Sequence, residues 1–86
     1  MKQLVKVEWV DISLGAEWAD LEDITEWAKE KWKEGIVTIG YLVLERKQYI
    51  VVAASYDITL DTYHDYSIIP KGAIKRVKRV ERQIND

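Results

Sequence analysis

Cysteine and phenylalanine are both missing from this chain of 86 residues, and proline, histidine and methionine each occur once. Without cysteine there are no disulfides, no thiolate nucleophile and no soft metal ligand, so stability has to come from packing or from association. A lone histidine cannot make a zinc site by itself and has no cysteine to activate. No apolar run approaches the roughly 20 residues that a membrane-spanning helix needs. Met1-Lys2-Gln3 leads straight into a patterned strand rather than a signal peptide. A cytoplasmic protein without membrane partners is therefore expected. The 48% hydrophobic and 33% charged content is that of an ordinary folded domain, expected to span residues 1–86. A domain this small and without covalent staples commonly gains stability by binding copies of itself, so a homo-oligomer is expected.

The net charge of −2 hides a division. Residues 1–34 carry nine acids (Glu8, Asp11, Glu17, Asp20, Glu22, Asp23, Glu26, Glu30 and Glu34) against five lysines. Residues 71–82 carry six cations (Lys71, Lys75, Arg76, Lys78, Arg79 and Arg82) against Glu81 alone. Such asymmetry can guide an anionic ligand, or orient a head-to-tail contact between subunits. It is equally what a solvated strand edge, kept unpaired by lysines, would show.

Val5, Val7 and Trp9 alternate with Lys6 and Glu8, the period of a half-buried strand over about residues 3–11. Ser13 to Ala16 reads as a turn. Leu21, Ile24, Trp27, Ala28 and Trp32 then fall at helical spacing, giving a helix over about 20–34. Asp20 or Asp23 can cap it, and Glu26 would complete a capping box if Asp23 is the cap. Gly35 would be a left-handed stop. Val37 to Glu45 is a strand apolar on both faces, with Gly40 marking a bend. Arg46-Lys47-Gln48 turns it into a further strand over Tyr49–Tyr56. Asp57 to Asp65 reads as a polar loop, Tyr66 to Ile69 as a short strand and Pro70 to Ala73 as a tight turn. Ile74, Val77 and Ile84 sit near helical spacing, but the β-branched residues and the short turn before them favour a strand over 74–80.

The order of elements defines a mainly β, α+β domain: five strands with the helix inserted between strands 1 and 2. Five strands, one sharply bent, with a turn of about one helical step before the last, resemble the SH3-like small barrels, the Sm-like variety in particular. Val7-Glu8-Trp9-Val10-Asp11, Thr38-Ile39-Gly40-Tyr41-Leu42-Val43 and Ile69-Pro70-Lys71-Gly72-Ala73-Ile74 are similar to segments of small uncharacterised bacteriophage or prophage proteins. The resemblance implies a phage or prophage origin, a small-barrel fold and self-assembly, and it brings no catalytic residues.

His64 stands among Asp57, Asp61 and Asp65, yet the spacing matches no calcium loop, so neither a metal nor another cofactor is expected. No grouping of residues makes a catalytic set, and no enzyme is expected. The aromatics carry more. Four tryptophans and five tyrosines replace phenylalanine altogether, and both types favour interfaces because their polar tips need partners. Trp9 and Trp27 read as core. Trp18 lies at the edge of the helix, and Trp32 lies about 140° round from Trp27, so these two are the interface candidates. Tyr56, Tyr63 and Tyr66 flank the 57–65 loop, which should lie near the Pro70 turn. Beside Lys71, Lys75 or Arg76 they would suit a stacked nucleobase with its phosphate held by cations. Three functions remain open. They are an oligomeric binder of a small anionic ligand such as a nucleotide or nucleotide-derived signal, with sequestration against host defence as one use, a binder of RNA or single-stranded nucleic acid, and a structural or protein-interaction module.

Overall fold

Strand alternation, helix spacing and turn residues resolve, in a computed structural model that describes residues 3–80, into five strands and one helix. In chain order these are β1 (Leu4–Trp9), α1 (Leu21–Lys33), β2 (Ile36–Glu45), β3 (Tyr49–Asp57), β4 (Thr62–Pro70) and β5 (Ile74–Arg79), with a single 3-10 turn, Lys71–Ala73, before β5. All pairings are antiparallel in one sheet of order β4-β3-β2-β1-β5. The expected mainly β domain, with its helix between strands 1 and 2, is the one observed. The final segment is a strand over Ile74–Arg79. Arg82 and Ile84, at the end of the basic segment, lie outside the described residues.

Alternation decides which face is buried. Val5 lies opposite Gly40 and Val7 opposite Thr38, Leu42 lies opposite Val52, and Ile50 lies opposite Ile69. Val5, Val7, Ile50, Val52 and Ile69 form the buried cluster, and Trp9, Leu42 and Ile74 pack against it. Trp9 keeps its indole N–H satisfied by donating to Thr38 Oγ1 at 3.0 Å. No residue of α1 is buried, so the helix does not cover this face. The sheet covers itself by curling. Its two edge strands, β4 and β5, are consecutive in the chain and joined by only three residues. A flat sheet would hold those edges about 19 Å apart at ordinary strand spacing, whereas three residues of 3-10 turn rise only about 6 Å. The edges therefore converge at that corner, where Lys71 N–H donates to Gln48 O and Val10 N–H to Ala73 O, both at 2.9 Å. No ladder joins β4 to β5 among the described residues, so the sheet is open along that seam.

The helix begins as its residues dictate. Asp20 is the cap, its carboxylate accepting from Asp23 N–H at 2.8 Å, which leaves Asp23 rather than Glu26 in the capping-box position. Glu22 and Asp23 occupy the first turn and Lys31 and Lys33 the last, as the helix dipole favours. The exit differs from expectation. Glu34 leaves in extended backbone (φ −67°, ψ 143°), and no described glycine has positive φ, so Gly35 is not a left-handed stop. The chain passes directly into β2 at Ile36, and a strand entry requires extended backbone.

The expected loop over 57–65 is also corrected. Asp57 Oδ1 accepts the amides of Thr59 (2.9 Å) and Leu60 (3.1 Å), which reverses the chain by Asp61, itself at φ 53°. Thr62 and Tyr63 then pair with Asp57 and Tyr56, so β4 starts at Thr62 rather than Tyr66. The polarity of this segment masked a strand whose side chains are mostly exposed.

Two glycines make opposite demands. A Cβ at Gly40 would collide with the carbonyl oxygen of Ala53 and lie 2.7 Å from Val52 Cγ1, so β2 crosses β3 there at a distance only glycine permits. At Gly72 a Cβ would meet nothing within 4 Å, and the backbone is not left-handed, so the turn does not need its glycine. Gly40→Ala is expected to lose about 2–3 kcal/mol in urea unfolding followed by tryptophan fluorescence. Gly72→Ala should be neutral or gain up to about 1 kcal/mol.

Candidate functional site

Four tyrosines, Tyr41, Tyr56, Tyr63 and Tyr66, gather on β2, β3 and β4. Tyr41 lies opposite Ala53, which lies opposite Tyr66, and Val51 lies opposite Ile68. Ring centroids of Tyr41 and Tyr56 are 6.1 Å apart and those of Tyr56 and Tyr63 5.0 Å, close enough for tilted aromatic packing. Tyr56 donates its hydroxyl to Asp61 Oδ1 at 2.7 Å, which ties the ring to the 58–61 turn. Tyr63, Tyr66, Val43, Leu44, Val51 and Ile68 line a shallow, almost wholly apolar hollow of about 690 Å³. Tyr66 is 71% exposed and Ile68 63%, so this is an open surface rather than a pocket with walls.

The three cations expected beside these tyrosines lie elsewhere. Because β4 runs for nine residues, roughly 27 Å of strand separates the 58–61 turn from Pro70. Lys71 Nζ sits 3.3 Å from Glu45 Oε2 beside a separate hollow of about 280 Å³ that Leu42, Ile50, Ile74 and Val77 line. Lys75 donates to the backbone carbonyl of Trp32 at 2.6 Å, with its ammonium 5.1 Å from the indole centroid. Arg76 Nε lies 3.7 Å from Glu8 Oε2. Tyr56, Tyr63 and Tyr66 therefore group together on β3 and β4, whereas Lys75 and Arg76 belong to the opposite edge strand. Within β5, Arg76 and Lys78 lie opposite Glu8 and Lys6, while Val77 and Arg79 lie opposite Val7 and Val5. The cations thus divide between two faces, as alternation requires.

His64 lies in β4, not in a loop, with Nδ1 3.2 Å from Asp65 Oδ2. Asp57 and Asp61 are engaged by the turn amides and by Tyr56. Among the described residues no group of three or more His, Asp or Glu is arranged to hold a metal.

The other apolar surface is an arm. Residues 10–20 and α1 leave the sheet after β1 and return at β2. Trp18 is fully exposed, Ile12, Leu14 and Leu21 are at least 80% exposed, and Trp27 is on this arm rather than in the core. Leu14, Trp18, Ile24 and Trp27 border a hollow of about 690 Å³ between the 14–19 segment and the helix. Trp32 is 60% exposed, and its carbonyl holds the Lys75 ammonium. The radius of gyration is 16.8 Å, against about 12 Å for a compact chain of this length. The molecule is accordingly elongated, 57 × 27 × 21 Å along its principal axes. Ile12 and Leu14 escaped notice as contact residues because they flank a turn and belong to no periodic segment.

Lys75 ties α1 to the sheet through its side chain, and its contacts are exposed. Lys75→Met should therefore speed hydrogen exchange of the α1 amides while changing unfolding free energy by less than about 1 kcal/mol. No protein-family model matches this chain, and neither a curated protein nor a solved structure is significantly similar to it.

Proposed function

We propose that this chain is a non-catalytic, self-associating binding module built on an SH3-like small barrel. The observation that carries the reading is the imbalance between covered and uncovered apolar surface. The buried set comprises Val5, Val7, Ile50, Val52, Ala53 and Ile69, whereas the arm leaves Ile12, Leu14, Trp18, Leu21, Ile24 and Trp27 accessible. A contiguous apolar surface of that kind marks an interaction site, and a small domain with so few buried side chains has little stability margin of its own. The curl imposed by the β4–β5 corner supports the barrel. The similarity of three segments to small bacteriophage proteins supports a phage-type setting, in the cytoplasm of the host cell.

A second reading is favoured by the contact between Tyr56 and Tyr63. Their rings, with Tyr66 beside them, offer a platform for a flat ligand such as a nucleobase. Lys71, Lys75 and Arg76 already have partners in their own chain and lie away from the rings, so cations for a phosphate would come from a neighbouring subunit. Such a shared pocket suits a nucleotide or nucleotide-derived signal better than a nucleic-acid strand, because β5 divides its cations between two faces.

Light scattering behind size exclusion should return a multiple of the 10.1 kDa chain mass. A monomer throughout the micromolar range would overturn the reading. Trp18→Ala should weaken association at least about tenfold with an unchanged circular dichroism spectrum. For the second reading, one or a few members of a nucleotide panel should raise the melting temperature, and Tyr63→Ala should remove that shift. A flat response refutes it, and salt-sensitive material absorbing at 260 nm would instead identify a nucleic-acid strand.

A further inference from the structure

Resting on the self-association proposed above, we propose that the acidic arm of one copy, residues 11–28, docks on the outer face of β5, β1 and β2 of a second copy. Three observations converge on this pair of surfaces. The first is sign. Asp11, Glu17, Asp20, Glu22, Asp23 and Glu26 are all acidic, and residues 11–28 contain no lysine, arginine or histidine. The receiving face is the reverse. Lys6 on β1 lies directly opposite Lys78 on β5, a like-charge pair that cross-strand packing disfavours without a nearby anion. Among the described residues Glu8 is the one carboxylate paired with these cations, 3.9 Å from Lys6 and 3.7 Å from Arg76. Among the described residues no carboxylate lies within ion-pairing distance of Lys78.

The second observation is apolar complementarity. Ile39 lies opposite Lys6 and Val37 opposite Glu8, so a row of exposed aliphatics on β2 runs beside the cations of β1 and β5. Val37 and Ile39 are more than half exposed although they sit in a central strand. The arm likewise alternates acids with Ile12, Leu14, Trp18, Leu21 and Ile24. A surface that is apolar in one row and cationic in the next fits a segment that is apolar and acidic.

The third is area. At their observed exposures the arm's large side chains present on the order of 1,000 Å² of apolar surface, enough for the roughly 800 Å² per partner of a standard stable interface. A chain's own arm does not fill the site. Lys75 holds the C-terminal turn of α1 at the start of β5, and Lys78, Val37 and Ile39 stay uncovered. The tyrosine face over Tyr66 and Ile68 offers equal apolarity, but no lysine or arginine lines its hollow.

Absence of cysteine makes the contact directly testable. Glu22→Cys chains mixed with Lys78→Cys chains and treated with a short bismaleimide should give a covalent heterodimer several-fold more abundant than Glu22→Cys mixed with Ile68→Cys. Equal or greater yield with Ile68→Cys would place the arm on the tyrosine face and overturn the proposal. A charge exchange provides the second arm of the test. Glu22→Lys with Glu26→Lys should dissociate the assembly, as should Lys6→Glu with Lys78→Glu, and the chain carrying all four substitutions should reassemble. Oligomers that survive both reversals refute this contact while leaving self-association intact. A monomeric unmodified chain refutes self-association and the contact together. Circular dichroism reports folding of each variant, and if a reversal fails to fold, the cross-linking ratio decides.

Discussion

Three residues between Pro70 and Ile74 govern this fold. They join the two strands that lie furthest apart in the sheet, and a connection that short cannot span a flat sheet of five strands. The sheet has to curl, and the curl lets Val5, Val7, Val52 and Ile69 bury themselves without any helix above them. Gly40 belongs to the same constraint. It permits β2 to cross β3 at a separation that a side chain would prevent.

Because the sheet covers its own core, the helix is released from the task that amphipathic helices usually perform. Its apolar stripe and the Trp18 segment border a hollow of their own, and Lys75 contacts Trp32 where the helix meets the sheet. The exposed arm therefore goes with a core that the sheet's own strands bury. In the proposed contact, the acidity of residues 11–28, set against the cations of β1 and β5, would give this apolar surface a direction. Electrostatic complementarity fixes orientation and partner more than it adds affinity, so the aromatic and aliphatic side chains are left to supply the binding energy.

Residues whose environment is set by near neighbours were readable in advance. Alternation in β1, an aspartate cap at Asp20 or Asp23, the charge order along α1 and the β-branched content of β5 each act over a few residues, and each element followed. The errors came where distant parts of the chain decide. Helical spacing puts Trp27 toward the core, but spacing shows only that a stripe exists and leaves open what covers it. The polarity of the 57–65 segment points to a loop, whereas pairing with β3 supplies hydrogen bonds from Thr62 onward whatever the hydropathy. A loop over 57–65 would set Tyr63 and Tyr66 beside the Pro70 turn, whereas a nine-residue β4 puts Tyr63 near its far end and Tyr66 at its middle.

The sequence by itself determined a mainly β domain with one capped helix, a charge division between its two ends, and an excess of Trp and Tyr over what a small interior uses. These follow from propensity, periodicity and composition, which are local or additive properties. Tertiary structure alone decided which apolar face is buried, which tryptophans stay exposed, and which cations meet which carboxylates. Those outcomes depend on strand order and curl, and both arise from hydrogen bonds between residues tens of positions apart.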